Sequence, residues 1–164
     1  MVKKKSPKKV VWSDEYIDCF DNLKLALSKD IKLYNVDPNL PYVLQTDASS
    51  FAVGAVLGQR KSVDGPVLPI TCISKKLNEA QQKYSTIEKE SYAIVWAVEK
   101  LSFYLLGNYF IIESDHQPLS YINSNSKSKD KLRRWELILN KFDFEVNYIP
   151  GKLNMMSDCL SRLV

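Results

Sequence analysis

Four acidic residues stand at positions where a carboxylate does little for a plain fold: Asp47, Glu90, Asp115 and Asp158. Asp47 and Asp115 each follow a short apolar segment, whereas Glu90 and Asp158 lie in segments with helical character. An unpaired carboxylate is costly to bury, so such a residue is usually paired, hydrogen-bonded or bound to a metal ion. Asp47 alone, beside Ser49, would be interpreted as an exposed turn residue. The other three acids favour a functional cluster instead.

The helix that carries Glu90 is marked by its capping residues. Ser85 is followed three residues later by Glu88, which is the pattern of a capping box, and Gly107 predicts the end of the helix near Leu106. Its apolar face is expected to comprise Ile87, Ser91, Ile94, Val98, Leu101 and Leu105. Glu90 lies on the edge of this buried face, while capping already explains Glu88.

Five segments read as strands: Tyr42–Thr46, Ala52–Leu57, Val67–Ile73, Tyr109–Ser114 and Phe144–Ile149. Short connections between the first three favour antiparallel hairpins, and the strand that follows the long helix should run parallel to a neighbour. The order predicts an α/β fold with a mixed five-stranded sheet flanked by helices. If the strands before Asp47 and Asp115 are parallel neighbours, both carboxylates emerge at the edge where open α/β sheets bind ligands.

Clustered carboxylates repel one another unless a cation holds them together. Oxygen ligands with high negative charge suit Mg²⁺ or Mn²⁺, which retain open positions for water and substrate phosphate. Two such ions about 3.5–4 Å apart can hold the attacking and leaving oxygens of a phosphodiester. The spacing of the acids therefore indicates a phosphodiester-cleaving metal site.

Longer strings of the sequence carry a family resemblance. In order, TDASSFAVGAVLGQ, YSTIEKESYAIVWAVEKLSFYLLG, SDHQPL, RRWELILNKFDFEVNYIPGKLN and SDCLSR closely resemble the ribonuclease H domain of Ty3/Gypsy-type retrotransposon polymerases. The first segment, in which Ser13 opens a helix, resembles the connection that joins the reverse transcriptase to that domain. The resemblance implies a ribonuclease H-like fold at residues 41–164, preceded by a connection segment with one helix at residues 1–40.

The resemblance also implies an activity, namely hydrolysis of the RNA strand of an RNA/DNA hybrid with two Mg²⁺ ions, for which Mn²⁺ can substitute. Carried over by position, the metal ligands and catalytic residues are Asp47, Glu90, Asp115 and Asp158. Cellular ribonucleases H have a mobile histidine near the last acid, but the chain has no histidine after its single one, His116. His116 itself is assigned to capping or packing of the helix that follows it.

Candidate contacts to the hybrid are residues with hydroxyl, amide or basic groups near the acids: Ala48, Ser49, Gln59, Lys75, Lys76, Tyr84, Ser85, Arg133 and Arg134. RNA is told from DNA mainly through its 2′-hydroxyl, and phosphates are bound by basic groups. Each residue also has a structural alternative, since Ser85 caps a helix and the basic residues could merely solubilise the surface. Trp96 and Trp135 are predicted to lie in the core.

Charge and composition limit the classes of binding partner that can be expected. The net charge is +4, with basic clusters near the N-terminus and between Lys127 and Arg134, which favours a polyanionic partner. No apolar run approaches the roughly 20 residues that span a bilayer, so no membrane partner is expected. The lysine-rich start fits a nuclear localisation signal or, as we prefer, the retrotransposon connection, which places a polymerase before this segment and an integrase after it. An intracellular location follows, in cytoplasmic virus-like particles if the element is active, with the nucleus as a second location.

Two other functions are compatible with parts of the sequence. A degenerate or domesticated ribonuclease H-like domain would bind nucleic acid or a protein partner without cutting. A metal-sensing or interaction module would explain the basic clusters but not the placement of the acids. The presence of all four acids favours the active enzyme. The sequence leaves the oligomeric state open.

Overall fold

The computed structural model describes residues 32–62, 65–115 and 130–162, together with residues 14, 16–18, 20 and 21. The chain divides into two compact units, Met1–Lys32 and Leu33–Val164. In the first unit, the described residues 14, 16–18, 20 and 21 are helical, within the stretch where the sequence predicts a helix. The boundary between the two units lies after Lys32, whereas the sequence predicts a boundary after residue 40. Residues 33–40 belong to the second unit, where Tyr34 N–H donates a hydrogen bond to the Pro69 carbonyl at 2.8 Å.

The second unit contains a five-stranded sheet in the order β3-β2-β1-β4-β5. The strands are β1 (Tyr42–Ala48), β2 (Ala52–Gln59), β3 (Leu68–Lys76), β4 (Phe110–Ser114) and β5 (Phe144–Tyr148). The pairs β1–β2 and β2–β3 are antiparallel, whereas β1–β4 and β4–β5 are parallel. The predicted mixed sheet is confirmed. Strand β1 is longer than predicted because its pairing with β2 continues to Ala48, and Asp47 therefore lies inside the strand, opposite Gly54.

The described helices are α1 (Glu79–Gln82), α2 (Thr86–Lys100), α3 (Ser102–Leu105), α4 (Asp130–Leu139) and α5 (Met155–Arg162), with a 3₁₀ turn at Gly151–Leu153. The capping box of Ser85 and Glu88 opens α2 as predicted. The predicted single helix to Leu106 is interrupted at Leu101, whose φ of −101° and ψ of 14° lie outside helical values. Helix α1 was not predicted because its four residues, three of them polar, show no apolar periodicity; Asn78 and Gln81 form its capping box.

The hydrophobic core lies between α2 and one face of the sheet. Leu44, Leu57 and Ile112 of the sheet are fully buried against Ile94 and other apolar residues of α2. Helix α4 adds a second layer to this cluster through Leu132, Trp135 and Leu139. The predicted core positions of Trp96 and Trp135 are confirmed, whereas Ile87, predicted on the buried face, is 44% exposed because it lies in the first turn of the helix.

The opposite face of the sheet is covered by α5 over β2, β1 and β3. This approach is close at Gly54, where an added Cβ would lie 2.6 Å from the Ser157 carbonyl and 2.8 Å from the Ser161 nitrogen. Glycine at this position therefore lets the helix backbone rest directly on β2. Among the described residues, no helix is long and apolar enough to cross a membrane.

Candidate metal centre

Three of the four predicted acids meet at one edge of the sheet. Asp47 lies near the end of β1, Asp115 directly follows β4, and Glu90 projects from the second turn of α2. One carboxylate oxygen from each of the three lies within 4.8 Å of the others. Because β1 and β4 are parallel neighbours, their carboxyl ends bring Asp47 and Asp115 to the same edge, as the sequence predicted.

Glu90 is the most deeply buried of the three, with 2% of its surface exposed. Its Oε1 accepts a hydrogen bond from Ala48 N–H at 3.3 Å. Its Oε2 is buried and, among the residues that the structure describes, has no hydrogen-bond partner. Burial, with additional repulsion from Asp47 and Asp115, raises the pKa of Glu90 to about 8. A buried carboxylate with such an oxygen, close to two other carboxylates, is suited to bind a cation.

Asp47 is buried beside Glu90 and is held by the last helix. The Ser161 hydroxyl donates a hydrogen bond to Asp47 Oδ2. Burial raises the pKa of Asp47, and the bond from Ser161 partly opposes that effect. The charges of Asp158 and Asp115 raise this pKa further, while Arg162 lowers it. Burial thus shifts the pKa of both acids upward, and a nearby positive charge would oppose that shift.

Asp158 lies outside the group of three and at the rim of the same site. It projects from α5, where its Oδ1 accepts a bond from Arg162 Nε at 2.6 Å. A cavity of about 540 Å³ opens here, and it is lined by Asp47, Asp115, Gly151, Asn154, Met155, Asp158 and Arg162. The structure therefore brings Asp158 to the cavity but pairs it with a cation of its own helix.

The residues that dock α5 beside Asp47 were not identified from the sequence. Asn154 Nδ2 donates to the Thr46 carbonyl at 2.8 Å, and Ser157 Oγ donates to Asn154 Oδ1. At the other end of the helix, Ser49 Oγ donates to the Ser161 carbonyl at 2.6 Å. Ser157 and Ser161 are four residues apart, and this spacing of small polar residues on one helical face was the available signal.

Two of the predicted hybrid contacts, at Ala48 and Ser49, are engaged within the protein. The Ala48 N–H binds Glu90, as described above. Besides its bond to the Ser161 carbonyl, Ser49 Oγ accepts bonds from Phe51 N–H and Ala52 N–H at 3.1 and 3.0 Å, which shapes the corner between β1 and β2. Both residues therefore lie at the acid edge, where they support the acids and the last helix.

Gln59 is placed elsewhere, and its predicted role in nucleic-acid binding needs correction. It lies at the far end of β2, opposite Tyr42 at the start of β1. Its side chain is 4% exposed. The amide accepts a bond from Asp37 N–H at 2.9 Å and donates to the carbonyls of Asp37 and Leu40 at 2.8 and 2.7 Å. Gln59 ties residues 37–40 to the sheet and is inaccessible to a hybrid.

The remaining predicted contacts lie on β3, α2 and α4. Lys75 Nζ donates to the Tyr92 hydroxyl at 2.8 Å, and Lys76 is exposed beside it. Ser85 acts as the cap of α2, and Tyr84 packs edge-on against Tyr92 and Trp135. Arg133 and Arg134 are exposed on α4. Lys131 Nζ lies 3.8 Å from the centre of the Tyr84 ring and forms an ion pair with Glu88. The basic N-terminal end of α4 therefore lies next to the N-terminal end of α2. His116 lies outside the described residues.

The chemistry of the donor set fits a hard divalent cation. All ligand atoms offered by Asp47, Glu90 and Asp115 are carboxylate oxygens, and Asp158 at the rim adds a fourth carboxylate. Mg²⁺ and Mn²⁺ prefer such ligands over the nitrogen and sulfur ligands of zinc sites. The open cavity beside the acids leaves room for a substrate phosphate.

Comparison with known proteins extends over most of the chain. A family model described as the RNase H-like domain found in reverse transcriptase matches residues 37–142. The chain is 44% identical over 149 residues to the retrovirus-related Pol polyprotein from transposon 297 of Drosophila melanogaster, covering 91% of this chain and 14% of that polyprotein. It is 38% identical over 155 residues to that from transposon gypsy of the same organism, again covering 14% of the relative. The chain thus spans about a seventh of these relatives.

Solved structures share the fold. The foamy viral protease-reverse transcriptase in complex with an RNA/DNA hybrid aligns with a TM-score of 0.62 at 17% identity, covering 85% of this chain and 19% of that one. The N-terminal RNase H domain of rv2228c from Mycobacterium tuberculosis aligns with a TM-score of 0.54 at 12% identity, covering 74% of this chain and 91% of that one. At these identities, the likeness concerns the arrangement of helices and strands.

Proposed function

Because the chain belongs to the family of RNase H-like domains found in reverse transcriptase, we propose that it hydrolyses the RNA strand of RNA/DNA hybrids with divalent cations. The observation that carries the proposal is the convergence of Asp47, Glu90 and Asp115, with ligand oxygens within 4.8 Å of one another. Such a convergence of charged carboxylates is unfavourable, and a bound cation relieves the repulsion without requiring a proton. It lies at the carboxyl edge of the sheet, beside an open cavity that Asp47 and Asp115 line, so a phosphodiester could approach the site from that cavity.

The side chains have distinct tasks in this proposal. Asp47, Glu90, Asp115 and Asp158 would hold the divalent cations: Asp47 would be shared by two cations, Glu90 and Asp158 would each help to hold one, and Asp115 would hold the cation beside the attacking water. Two Mg²⁺ ions, when bound, polarise the scissile phosphate and make a bound water a better nucleophile at neutral pH. Ser161 orients Asp47 by its hydrogen bond, and Ala48 N–H orients Glu90. Arg162 balances the charge of Asp158 at the rim of the cavity.

The basic residues on β3 and α4 support binding of an extended polyanion. Lys75, Lys76, Arg133 and Arg134 remain our candidates for phosphate contacts, and Tyr84 and Ser85 for contacts beside the start of α2. The foamy viral protease-reverse transcriptase, which shares the fold, has a solved structure in complex with an RNA/DNA hybrid, and this supports the same substrate here. In this proposal, the duplex lies along the acid edge and reaches the basic side chains beyond it.

The relatives suggest the larger context of the domain. They are Pol polyproteins several times longer than this chain, and we propose that a reverse transcriptase domain precedes it and an integrase follows it in the same polyprotein. Cleavage of the template RNA would then follow DNA synthesis on that template. The proposed location is a cytoplasmic virus-like particle.

The test is cleavage of an end-labelled RNA/DNA hybrid in Mg²⁺, alongside RNA/RNA and DNA/DNA duplexes. We expect cutting of the RNA strand of the hybrid alone, and its loss in Asp47→Asn, which keeps the shape of the side chain but removes its charge. Asp143→Asn is the matched control, since this exposed acid precedes β5 at the opposite edge of the sheet.

The absence of cutting in Mn²⁺, at high enzyme concentration and with the polymerase domain fused back on, would contradict the proposal. Retained hybrid binding under those conditions would instead support a degenerate or domesticated domain that binds without catalysis.

A further inference from the structure

The geometry points to Gln45, Glu113 and Arg60 as positioning residues that fix Asp47 relative to Asp115 and thereby set the affinity of the acid site for divalent cations. The inference rests on the proposed metal site. It adds a layer of side chains that lies beneath the acids and contacts none of the reacting atoms. We call this set the Gln45–Glu113–Arg60 network.

The network lies directly below the acids on the same face of the sheet. Gln45 and Glu113 are partners in the parallel register of β1 and β4. Each is two residues before an acid, Gln45 before Asp47 and Glu113 before Asp115. Alternate residues of a strand point to one face, and two residues span about 6.6 Å. The network is therefore one side-chain layer away from the site, on the face that α5 partly covers.

The register shows why this layer matters. The paired residues of β1 and β4 run from Tyr42 and Phe110 to Gln45 and Glu113, and the pairing ends there. Beyond this point, Asp47 is held to β2 through its partner Gly54, while the end of β4 is held to β5. The two acids thus belong to two halves of the sheet, and Gln45–Glu113 is the last pair in the register of β1 and β4 before the site.

The side chains reinforce that link. Gln45 Nε2 donates to Glu113 Oε2 at 2.9 Å, which joins the two strands by a side-chain bond. Arg60 binds the same carboxylate with both terminal nitrogens, through Nη2 to Oε2 at 2.9 Å and through Nη1 to Oε1. Arg60 Nε also donates to the Gly65 carbonyl at 2.8 Å, so its guanidinium is fixed from two sides. Gln45 and Glu113 are each only 3% exposed.

The charge of the network also favours a role at the site. Glu113 is a further carboxylate close to Asp115, and an unpaired one would add to the repulsion between Asp47, Glu90 and Asp115. Arg60 neutralises that charge through a bidentate ion pair, the geometry in which arginine binds carboxylates most strongly. A buried ion pair of this kind is weak evidence for stability, because apolar residues of similar size often do as well. Alignment of the acids gives the charged network a purpose that apolar packing would not serve.

The test measures Mn²⁺ binding to the metal-free protein by titration calorimetry, together with the melting temperature. In Glu113→Gln, which retains shape but loses the ion pair, we expect Mn²⁺ affinity to fall at least fivefold. The double variant Arg60→Met with Glu113→Leu removes the charges and retains the packing. We expect it to melt near the wild type and to show the same loss of affinity.

Leu105→Val is the matched control. It trims a fully buried side chain in α3, at the edge of the sheet opposite the acids, and should lower the melting temperature without changing Mn²⁺ affinity. Affinity within twofold of the wild type in either folded network variant would overturn the inference. So would failure of both variants to fold, or the absence of measurable Mn²⁺ binding by the wild type. A wild type that binds Mn²⁺ but cuts no hybrid would overturn the proposed activity alone.

Discussion

At the scale of single residues, the surroundings of Glu90 favour the binding of a cation. Its carboxyl group is buried and lies close to those of Asp47 and Asp115. One oxygen accepts a hydrogen bond from Ala48 N–H, and the other has no partner among the residues that the structure describes. Without a cation, the least costly response is protonation, which is why its pKa rises to about 8. Cation binding must then displace this proton, so we expect affinity for Mg²⁺ to increase with pH up to that value.

Glu90 should make the metal-free protein less stable as pH rises. Its pKa is about 8 in the folded state against 4.5 for an unperturbed glutamate, so the folded state holds the extra proton between these values. The contribution of Glu90 to the free energy of unfolding is therefore fully present below pH 4.5. It falls by up to about 1.4 kcal/mol per pH unit between pH 4.5 and pH 8. Glu90→Gln should flatten this slope and raise the melting temperature at pH 8.

The measurement for this prediction is thermal unfolding without metal at several pH values. Glu99→Gln is the control, because Glu99 is exposed near the end of the same helix. Some slope should persist in Glu90→Gln, since burial raises the pKa of Asp47 in the same direction. Equal slopes in the wild type and Glu90→Gln would show that Glu90 is ionised in the folded protein.

At the scale of elements, α5 is attached to the sheet by backbone proximity and short polar side chains. Asn154 binds the Thr46 carbonyl, and Ser161 binds Asp47, so the two ends of the helix flank the last residues of β1. Gly54 allows the close approach of the two backbones between these contacts. The placement of Asp158 and Arg162 at the cavity therefore depends on how closely α5 lies on β2.

Gly54→Ala should separate α5 from β2. Its Cβ would lie 2.6 Å from the Ser157 carbonyl and 2.7 Å from Leu160 Cβ, and backbone cannot move aside cheaply. We expect a loss of roughly 1–3 kcal/mol in the free energy of unfolding, typical of overpacking, together with weaker Mn²⁺ binding. Urea unfolding and calorimetry measure the two effects.

Gly107→Ala provides the comparison for Gly54→Ala. Gly107 has a φ of +79°, so alanine is strained there, but apart from its chain neighbours no atom of the described residues lies within 4 Å of the added Cβ. It should reduce stability and leave Mn²⁺ binding unchanged. Unaltered Mn²⁺ affinity in Gly54→Ala would mean that the packing of α5 against β2 does not influence cation binding at the acids.

Sequence-based prediction succeeded where the relevant residues are close in sequence and failed where contacting residues are far apart in sequence. Glu90 was recognised because its neighbours in sequence define the buried face of α2, and Asp47 and Asp115 because each follows an apolar strand. Gln59 was misassigned because its partners, Asp37 and Leu40, lie 22 and 19 residues earlier and no local pattern connects them. The pairing of Gln45 with Glu113 depends on the register of β1 and β4, which only the folded sheet reveals.

At the scale of the whole molecule, the site joins parts of the chain that are far apart in sequence. Asp47 comes from the central strand, Glu90 and Asp115 come from the middle of the chain, and Asp158 comes from the last helix. A cation bound by these residues links both faces of the sheet through α2 and α5. Since such a ligand binds only the folded state, it should stabilise the entire unit.

Mg²⁺ should therefore raise the melting temperature of the wild type. At a concentration ten times the dissociation constant, the gain is about 1.4 kcal/mol, or roughly 3–6 °C for a domain of this size. Asp115→Asn should melt slightly higher than the wild type without metal, since one repelling charge is gone, and should respond less to Mg²⁺. An equal Mg²⁺-induced shift in both proteins, measured by scanning calorimetry, would place the bound ion elsewhere.

The bond between Ser161 and Asp47 spans 114 residues, and that between Asn154 and Thr46 spans 108. During translation, the strand that bears Asp47 leaves the ribosome long before the helix that completes its surroundings. Contacts of such long sequence separation require the closure of long loops, which slows folding. The acid edge can therefore be completed only after the last helix has been synthesised.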